Sequence, residues 1–484
     1  MIHKINYTKF YNFTFLTGIL RDIRFYLLLF FIIRLIGITN PPLDTGHNWR
    51  QTVVNMVARN FIEIDNNIFY PRIDIAGEKT GITGMEFPFL NYLIYLISLI
   101  FGFEHWYGRL INLIFSSFGL YFFYRLLKKY FTQETSFYAT IILCVSIWFQ
   151  FSRKIMPDTF SMSFMIAAFY FGSNYLDNEN RKQNVFNLLI YSLLLCLGAL
   201  TKLSSAYILP NFALFIFSKK VLFKRKLIFI TSSLIAMLPV VFWYFYWVPY
   251  LVENFGFWHF FMGSDLNTAI TEISQNLALT FKRFYDSAMK IVAFVVFLTG
   301  IFYAVKNNNR LILKILLISF SAFSIFILKA GFFFYHHNYY IIPFVPVMAL
   351  VAAYTLIQIK NKKIVYLILI IIFLENSLTQ LPANRIKDED RYLLNLESEL
   401  DKFIPKNELI LINSGYNPTP MYFAHRKGWV DLNDNIEVSG FVNALKDKGL
   451  KHILILKHHF GTDTVLPDYR KITENNNYTL YSLD

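Results

Sequence analysis

Apolar residues collect in runs near 25–39, 89–103, 107–127, 134–151, 158–176, 185–200, 204–218, 227–247, 287–305, 311–329, 339–358 and 363–380. Several reach the roughly 17–25 residues that a bilayer-spanning helix requires. The polar stretches between them differ in charge. "YRLLKKYF" (124–131), "NENRKQN" (178–184), "SKKVLFKRK" (218–226), "VKNNNR" (305–310) and "KNKK" (360–363) are basic, and Lys and Arg gather in cytoplasmic loops. These clusters share one side with the basic N-terminus only if one run before residue 124 fails to cross. The run at 89–103 is short, starts at "EFP" and ends at "FGFEHW". It is expected to lie flat or re-enter, leaving about eleven crossings with the N-terminus inside and the C-terminus outside. The first run follows Lys4, Lys9, Arg21 and Arg24 with no small-residue cleavage site, and reads as a retained anchor rather than a signal peptide.

After about residue 384 the pattern changes. "ELILINS" (408–414) and "KHILILK" (451–457) read as short buried strands, and "TPMYFAHR" (419–426) and "EVSGFVNALKDKG" (437–449) as helices. The expected architecture is a polytopic α-helical membrane domain, 1–383, with its first outer loop at 40–106. A small extracytoplasmic α/β domain, 384–484, completes it. That domain has no phosphate-cradling glycine loop and no nucleophile elbow, so it is expected to wall a site, hold an acceptor or act as a cap.

Composition agrees with the membrane reading. Of 484 residues, 55% are hydrophobic and only 16% charged, against about a quarter charged in soluble proteins. The net charge of +14 belongs to cytoplasmic loops and implies no nucleic-acid partner. Cys144 and Cys196 both fall in apolar runs and suggest neither a disulfide framework nor a metal cluster.

The threading sends 40–88, 152–158, 201–203, 247–286 and 330–338, with the tail, to the non-cytoplasmic side. There lie Asp44, His47, Arg50, Arg59, Glu86, Arg153, Asp158, Lys202, His336 and His337, with Tyr339 and Tyr340 adjoining. Charges gathered at the ends of spans point to an active face, whereas a transport path places them at mid-span. Arg34 sits within a run, with a snorkelling route to the interface.

The first loop, "PPLDTGHNWRQTVVNMVARNF" (41–61), followed by "MEFPFLNYLIYL" (85–96), resembles the signature of the GT-C glycosyltransferases. It is most similar to the branch of the lipid A aminoarabinose transferases and protein O-mannosyltransferases. "RKIMPDTFSMSF" (153–164) resembles that branch's second acidic loop, and "LTKLSS" (200–205) and "HHNYYIIPFVP" (336–346) its later donor-side motifs. The resemblance runs from the first span to about residue 350. It implies an enzyme that moves a sugar from a polyprenyl-phosphate carrier to an acceptor outside the cytoplasm. It further implies that Asp44 is the base or metal-site acid and that Asp158 is the second acid. Two positions depart from the branch: Val53 stands where a second polar residue is frequent, and Phe87 stands where Lys follows the residue matching Glu86.

The chemistry leads to the same residue types. An acceptor hydroxyl needs a positioned carboxylate to take its proton. A departing lipid phosphate calls for cations or a metal. Asp44 and Asp158 lie on separate loops and are expected to meet beside the headgroup, able to flank Mg²⁺ or Mn²⁺, or Zn²⁺ if a His joins. Arg50, Arg59, Arg153, Lys202, His336 and His337 are candidate phosphate contacts, Glu86 a candidate ligand contact, and one of Tyr339 and Tyr340 a phosphate neighbour. The structural alternatives are that Asp44 caps a helix starting near Asn48, that Asp158 caps the next span, and that Trp49 is an interfacial anchor. An amphipathic stretch at 252–288 is expected to lie on the surface and gate lipid entry. Three other functions stand beside glycosyl transfer: a lipid-linked sugar flippase, an O-antigen ligase or polymerase, and a non-catalytic relative that binds lipid phosphate.

Overall fold

The computed structural model describes residues 22–177, 181–256, 263–460 and 464–483. Part of the expected gate, 257–262, lies outside the described residues, as do Lys4, Lys9 and Arg21.

Among the described residues, six helices are long and apolar enough to cross a membrane: Tyr107–Tyr130, Gln183–Thr201, Phe223–Phe255, Arg310–Ala330, Asn338–Gln358 and Lys362–Asn384. A pair bent by 100°, Leu277–Ala288 with Lys290–Lys306, makes up to seven. The larger number expected from the sequence also counts shorter or more polar helices such as Ile23–Leu35, Gln133–Val145 and Pro157–Asp177. The Phe89–Phe101 helix has 13 residues. At 1.5 Å per residue it reaches about 20 Å, short of a hydrocarbon core of about 30 Å.

The run at 204–218 is not the expected α-helix. Leu203–Phe212 is a 3-10 helix containing Pro210, followed by one turn at Ala213–Ile216. Proline lacks the amide hydrogen and crowds the preceding turn, which breaks α-helical bonding inside an otherwise apolar run.

The bundle has two chemically distinct ends. At one, Lys129 pairs with Asp177, Lys362 with Glu134, and Arg225 lies over Tyr175. At the other, the loops after 40, 85 and 152 meet the tail. Thr45 N donates to Arg385 O at 2.9 Å, and Asp44 bridges Ile386. Thr52 Oγ1 lies 3.2 Å from Thr419 Oγ1, and Arg59 Nη1 donates to Tyr422 O at 3.0 Å.

The tail forms a five-stranded sheet in the order β2-β1-β3-β5-β4. Its strands are β1 (Leu409–Ile412), β2 (Gly428–Val430), β3 (Leu450–Leu456), β4 (Arg470–Glu474) and β5 (Tyr478–Ser482). β2, β1 and β3 run parallel, and β5 returns antiparallel to β3. Successive side chains alternate between faces. Ile410 and Ile412 join a core with Val53, Met56, Val57 and Phe61 of the Asn48–Glu63 helix, whereas Leu411 packs with Val442 and Leu445 of the Ser439–Lys446 helix. One sheet face is thereby built into the first outer loop.

Candidate functional site

The Asn48–Glu63 helix is the floor of the site. It is not a surface-lying amphipath, for every residue from Arg50 to Phe61 is buried. Its N-cap is His47, held at φ 62° without a side-chain cap bond. A left-handed non-glycine residue carries a conformational cost that the surroundings must offset. Here His47 Nε2 sits 2.8 Å from Asn338 Oδ1, and its ring centroid is 5.0 Å from that of Tyr339. Burial holds the imidazole below its usual pKa, so it is neutral at pH 7.

Asp44 does not cap this helix. Its carboxylate is buried, with Oδ1 accepting from Gln51 Nε2 at 2.6 Å and Arg109 Nη2 at 3.2 Å while Oδ2 pairs with Lys154. Burial works against its charge, but Lys154 and Arg109 outweigh it and hold the carboxyl below its usual range. Burial brings the Lys154 ammonium down to about 8 against the opposing pull of Asp44. The loop carrying Lys154 is pinned by Asn112, whose Nδ2 donates to Phe151 O at 2.9 Å and Lys154 O at 2.7 Å. Neither Lys154, Arg109 nor Asn112 was singled out from the sequence. The only signal for Lys154 is its place beside Arg153 in "RKIMPD".

Asp158 occupies the first turn of the Pro157–Asp177 helix, where the positive end of the helix dipole favours a carboxylate. Its Oδ1 pairs with Lys202, while Oδ2 is buried without a hydrogen-bond partner. Lys202 emerges where the Arg181–Thr201 helix ends, its amide bonded to Gly198 O at 3.0 Å. Its ammonium stands 4.8 Å from the ring centroid of Tyr339 and 5.6 Å from that of Tyr340. Arg50 pairs with Glu86, leaving Glu86 Oε2 buried without a partner. Burial opposes the charge on Arg50, but Glu86 first, then Tyr339, Asp158 and Tyr340, keep its pKa above the usual value. His337 stacks 5.3 Å from Tyr339 and lies 5.8 Å from Trp49. Burial, followed by neighbouring His47 and the cations Lys202 and Arg50, lowers its pKa to about 4.

Asp158, Lys202, Arg50, Glu86, His47, His337, Tyr339 and Tyr340 therefore form one neighbourhood, and Asp44 reaches it through His47, which feels both acids. Four residues that stood out in the sequence are engaged away from this neighbourhood. Arg59 is committed to Asp74 Oδ2 at 2.8 Å and stacks 4.7 Å from the Tyr422 ring centroid, so it clamps loop to tail. Arg153 donates to Ile36 O at 2.5 Å and Gly37 O at 2.8 Å, satisfying carbonyls at the end of the Ile23–Leu35 helix. His336 is exposed and lies tilted against Phe332, ring centroids 3.9 Å apart. Arg34 does not snorkel: it is buried, bonded to Gln150 O at 3.2 Å and set 4.2 Å from the Phe149 ring centroid.

The two acids also fail to present a metal-binding set. Among the described residues no three His, Cys, Asp or Glu side chains converge. Asp44 spends both oxygens on Lys154, Gln51 and Arg109, and Asp158 faces a lysine. A site whose carboxylates are already neutralised by ammonium groups does not fit Mg²⁺, Mn²⁺ or Zn²⁺.

A family model described as dolichyl-phosphate-mannose-protein mannosyltransferase matches residues 86–247. No curated protein matches the chain by sequence search. Among solved structures, the chain is similar to ArnT from Cupriavidus metallidurans in the apo state, with TM-score 0.61 and 11% identity over 94% of this chain and 97% of ArnT. The same ArnT bound to undecaprenyl phosphate matches with TM-score 0.61 and 12% identity over 94% and 98% of the two chains. The Archaeoglobus fulgidus oligosaccharyltransferase in complex with Zn and sulfate matches with TM-score 0.53 and 12% identity over 89% and 67%. The chain thus shares the fold of ArnT and of the oligosaccharyltransferase.

Proposed function

Taking the GT-C glycosyltransferase fold as premise, we propose that this chain is a multi-pass membrane enzyme transferring a sugar from a polyprenyl-phosphate donor to a hydroxyl acceptor. The reaction takes place at the loop-and-tail end of the bundle, on the extracytoplasmic face of the plasma membrane. The observation that carries the reading is the Lys202–Asp158 pair, with Asp158 Oδ2 buried and free of partners beside Arg50 and two tyrosines.

In this proposal Arg50 and Lys202 receive the donor phosphate and stabilise the charge that grows as the lipid phosphate leaves. His47 and His337, neutral at pH 7, orient the site by hydrogen bonding and stacking. The acceptor oxygen forms its bond to the anomeric carbon as the bond from that carbon to the phosphate oxygen breaks. The hydroxyl proton passes to Asp158 Oδ2. Asp44, surrounded by Lys154, Arg109 and Gln51, keeps its charge and fixes the first loop against the second acidic loop. Arg34 and Arg109 lie at the site end, and Glu375, inside the Lys362–Asn384 span, accepts from the amides of Ile291 and Val292 at 3.1 and 2.9 Å, which accounts for its charge without a transport path.

The test uses the purified full-length protein with a panel of polyprenyl-phosphate sugars, scored by release of polyprenyl phosphate. Mass spectrometry of surface glycans from a strain lacking the protein identifies the acceptor. Asp158→Asn is expected to lower turnover by about 10²–10⁴-fold. Full turnover by that variant would overturn the role of Asp158. Release by no donor in the panel, together with unchanged surface glycans, would overturn the activity.

A further inference from the structure

At the end of the bundle remote from this site, a polar cavity of about 740 Å³ opens among the start of the Ile23–Leu35 helix and the last turns of Tyr107–Tyr130 and Pro157–Asp177. Among the described residues four cations line it, Arg24, Arg125, Lys128 and Lys129, against the one carboxylate of Asp22. Two of the four are already engaged. Arg24 pairs with Asp22, and Lys129 pairs with Asp177 at 3.1 Å. Among the described residues neither Arg125 nor Lys128 forms a close ion pair; Lys128 feels Asp22, but that carboxylate is already held by Arg24. Arg125 is instead held by two phenols, donating to Tyr121 OH and Tyr170 OH at 3.0 Å each, and Lys128 lies 5.9 Å from the Tyr124 ring centroid.

Neutral phenols fix the position of a guanidinium without cancelling its charge. A lysine or arginine that only sets membrane orientation needs no such scaffold and no concavity. The surface leading to the cavity is apolar. Phe118, Tyr121 and Arg125 fall at positions i, i+3 and i+7 of one helix face, and Phe118 is 58% exposed. Phe25 and Leu29 on the adjoining helix are exposed as well. Along that face the order is apolar ring, phenol, cation, which is the order of acyl chain, interface and phosphate in a lipid leaflet.

We propose that this cavity binds the phosphodiester headgroup of an anionic phospholipid in the leaflet opposite the transfer site, with its acyl chains lying along Phe118 and Phe25. The ligand is a lipid and not a free phosphate ion, because the apolar approach contributes as much of the fit as the cations do. The inference does not depend on the proposed transferase activity.

Native mass spectrometry of the detergent-solubilised full-length protein tests it. With equimolar phosphatidylglycerol and phosphatidylcholine, the wild type is expected to retain the anionic lipid about tenfold over the zwitterionic one. The double variant Arg125→Gln/Lys128→Gln should lose that preference. Lys219→Gln/Lys220→Gln removes the same charge from a basic loop elsewhere and should keep it. Three results would overturn the proposal: equal retention of both lipids by the wild type, an equal loss of preference in the Lys219/Lys220 variant, or displacement of phosphatidylglycerol by millimolar inorganic phosphate. The wild-type lipid competition stands alone if the Arg125/Lys128 variant does not fold.

Discussion

Lys154 shows how a neighbour in sequence can exchange roles with the residue that attracts attention. Arg153 matched a donor contact by position, yet it reaches helix-end carbonyls, while Lys154 turns inward to Asp44. Sequence spacing carries no rotation for a loop residue, so which of two adjacent cations faces the acid is decided by packing. Removing Lys154 leaves Asp44 buried with one cation fewer. Lys154→Ala is expected to cost about 3–5 kcal/mol, read as a fall in detergent thermal-unfolding midpoint. The two acids should separate kinetically. Asp158→Asn should lose turnover with its folding intact, whereas Asp44→Asn should lower both the unfolding midpoint and turnover. Arg59→Ala, which opens the clamp to Asp74 and Tyr422, should lower stability and leave the donor KM unchanged. A raised donor KM would return Arg59 to the phosphate site.

Elements were legible where their period was strong. β1 and β3 appear within two residues of the expected strands, and the two tail helices lie inside the expected stretches. β2 escaped notice because three residues, "GWV", carry no alternation to read. Its existence rests on Gly428, where a Cβ would lie 1.8 Å from Ile410 O, so the parallel pairing admits only glycine there. β4 is an edge strand with no buried residue, so its pattern signals no buried face. Close approach also governs the bundle. A Cβ on Gly300 would meet Val351 O at 2.1 Å, where Lys290–Lys306 crosses Val345–Gln358. Small residues permit such backbone contacts between membrane helices. Gly300→Ala is therefore expected to destabilise by roughly 1–3 kcal/mol, measured as a lower unfolding midpoint with donor affinity retained.

At the scale of the whole molecule, the tail and the first outer loop share one core and one polar seam. His105 Nδ1 meets Tyr422 OH at 2.7 Å across it. Burial, with Arg59 and Arg109 adding to it, lowers His105 to about 4 from its ordinary 6.5. His337 is lowered to about 4 as well. The unfolded chain therefore binds more protons between those values, and stability falls as pH drops from about 6.5 towards about 4. The unfolding midpoint should decline through that window, with hydrogen exchange at 419–424 rising first. A flat midpoint between pH 7 and 5 would contradict the seam.

The sequence by itself determined that the chain carries helices of membrane-spanning length, that its tail holds a sheet, and that acids and cations gather in the loops between apolar runs. Those properties follow from hydropathy and from charge bias summed over many residues, and such sums survive errors at single positions. Only the tertiary structure decided which cation meets which acid, that Arg59 and Arg153 serve the frame, and that Asp44 is enclosed while Asp158 keeps a free oxygen. Each of those depends on a few ångströms of side-chain reach between separate segments of the chain, which no local pattern encodes.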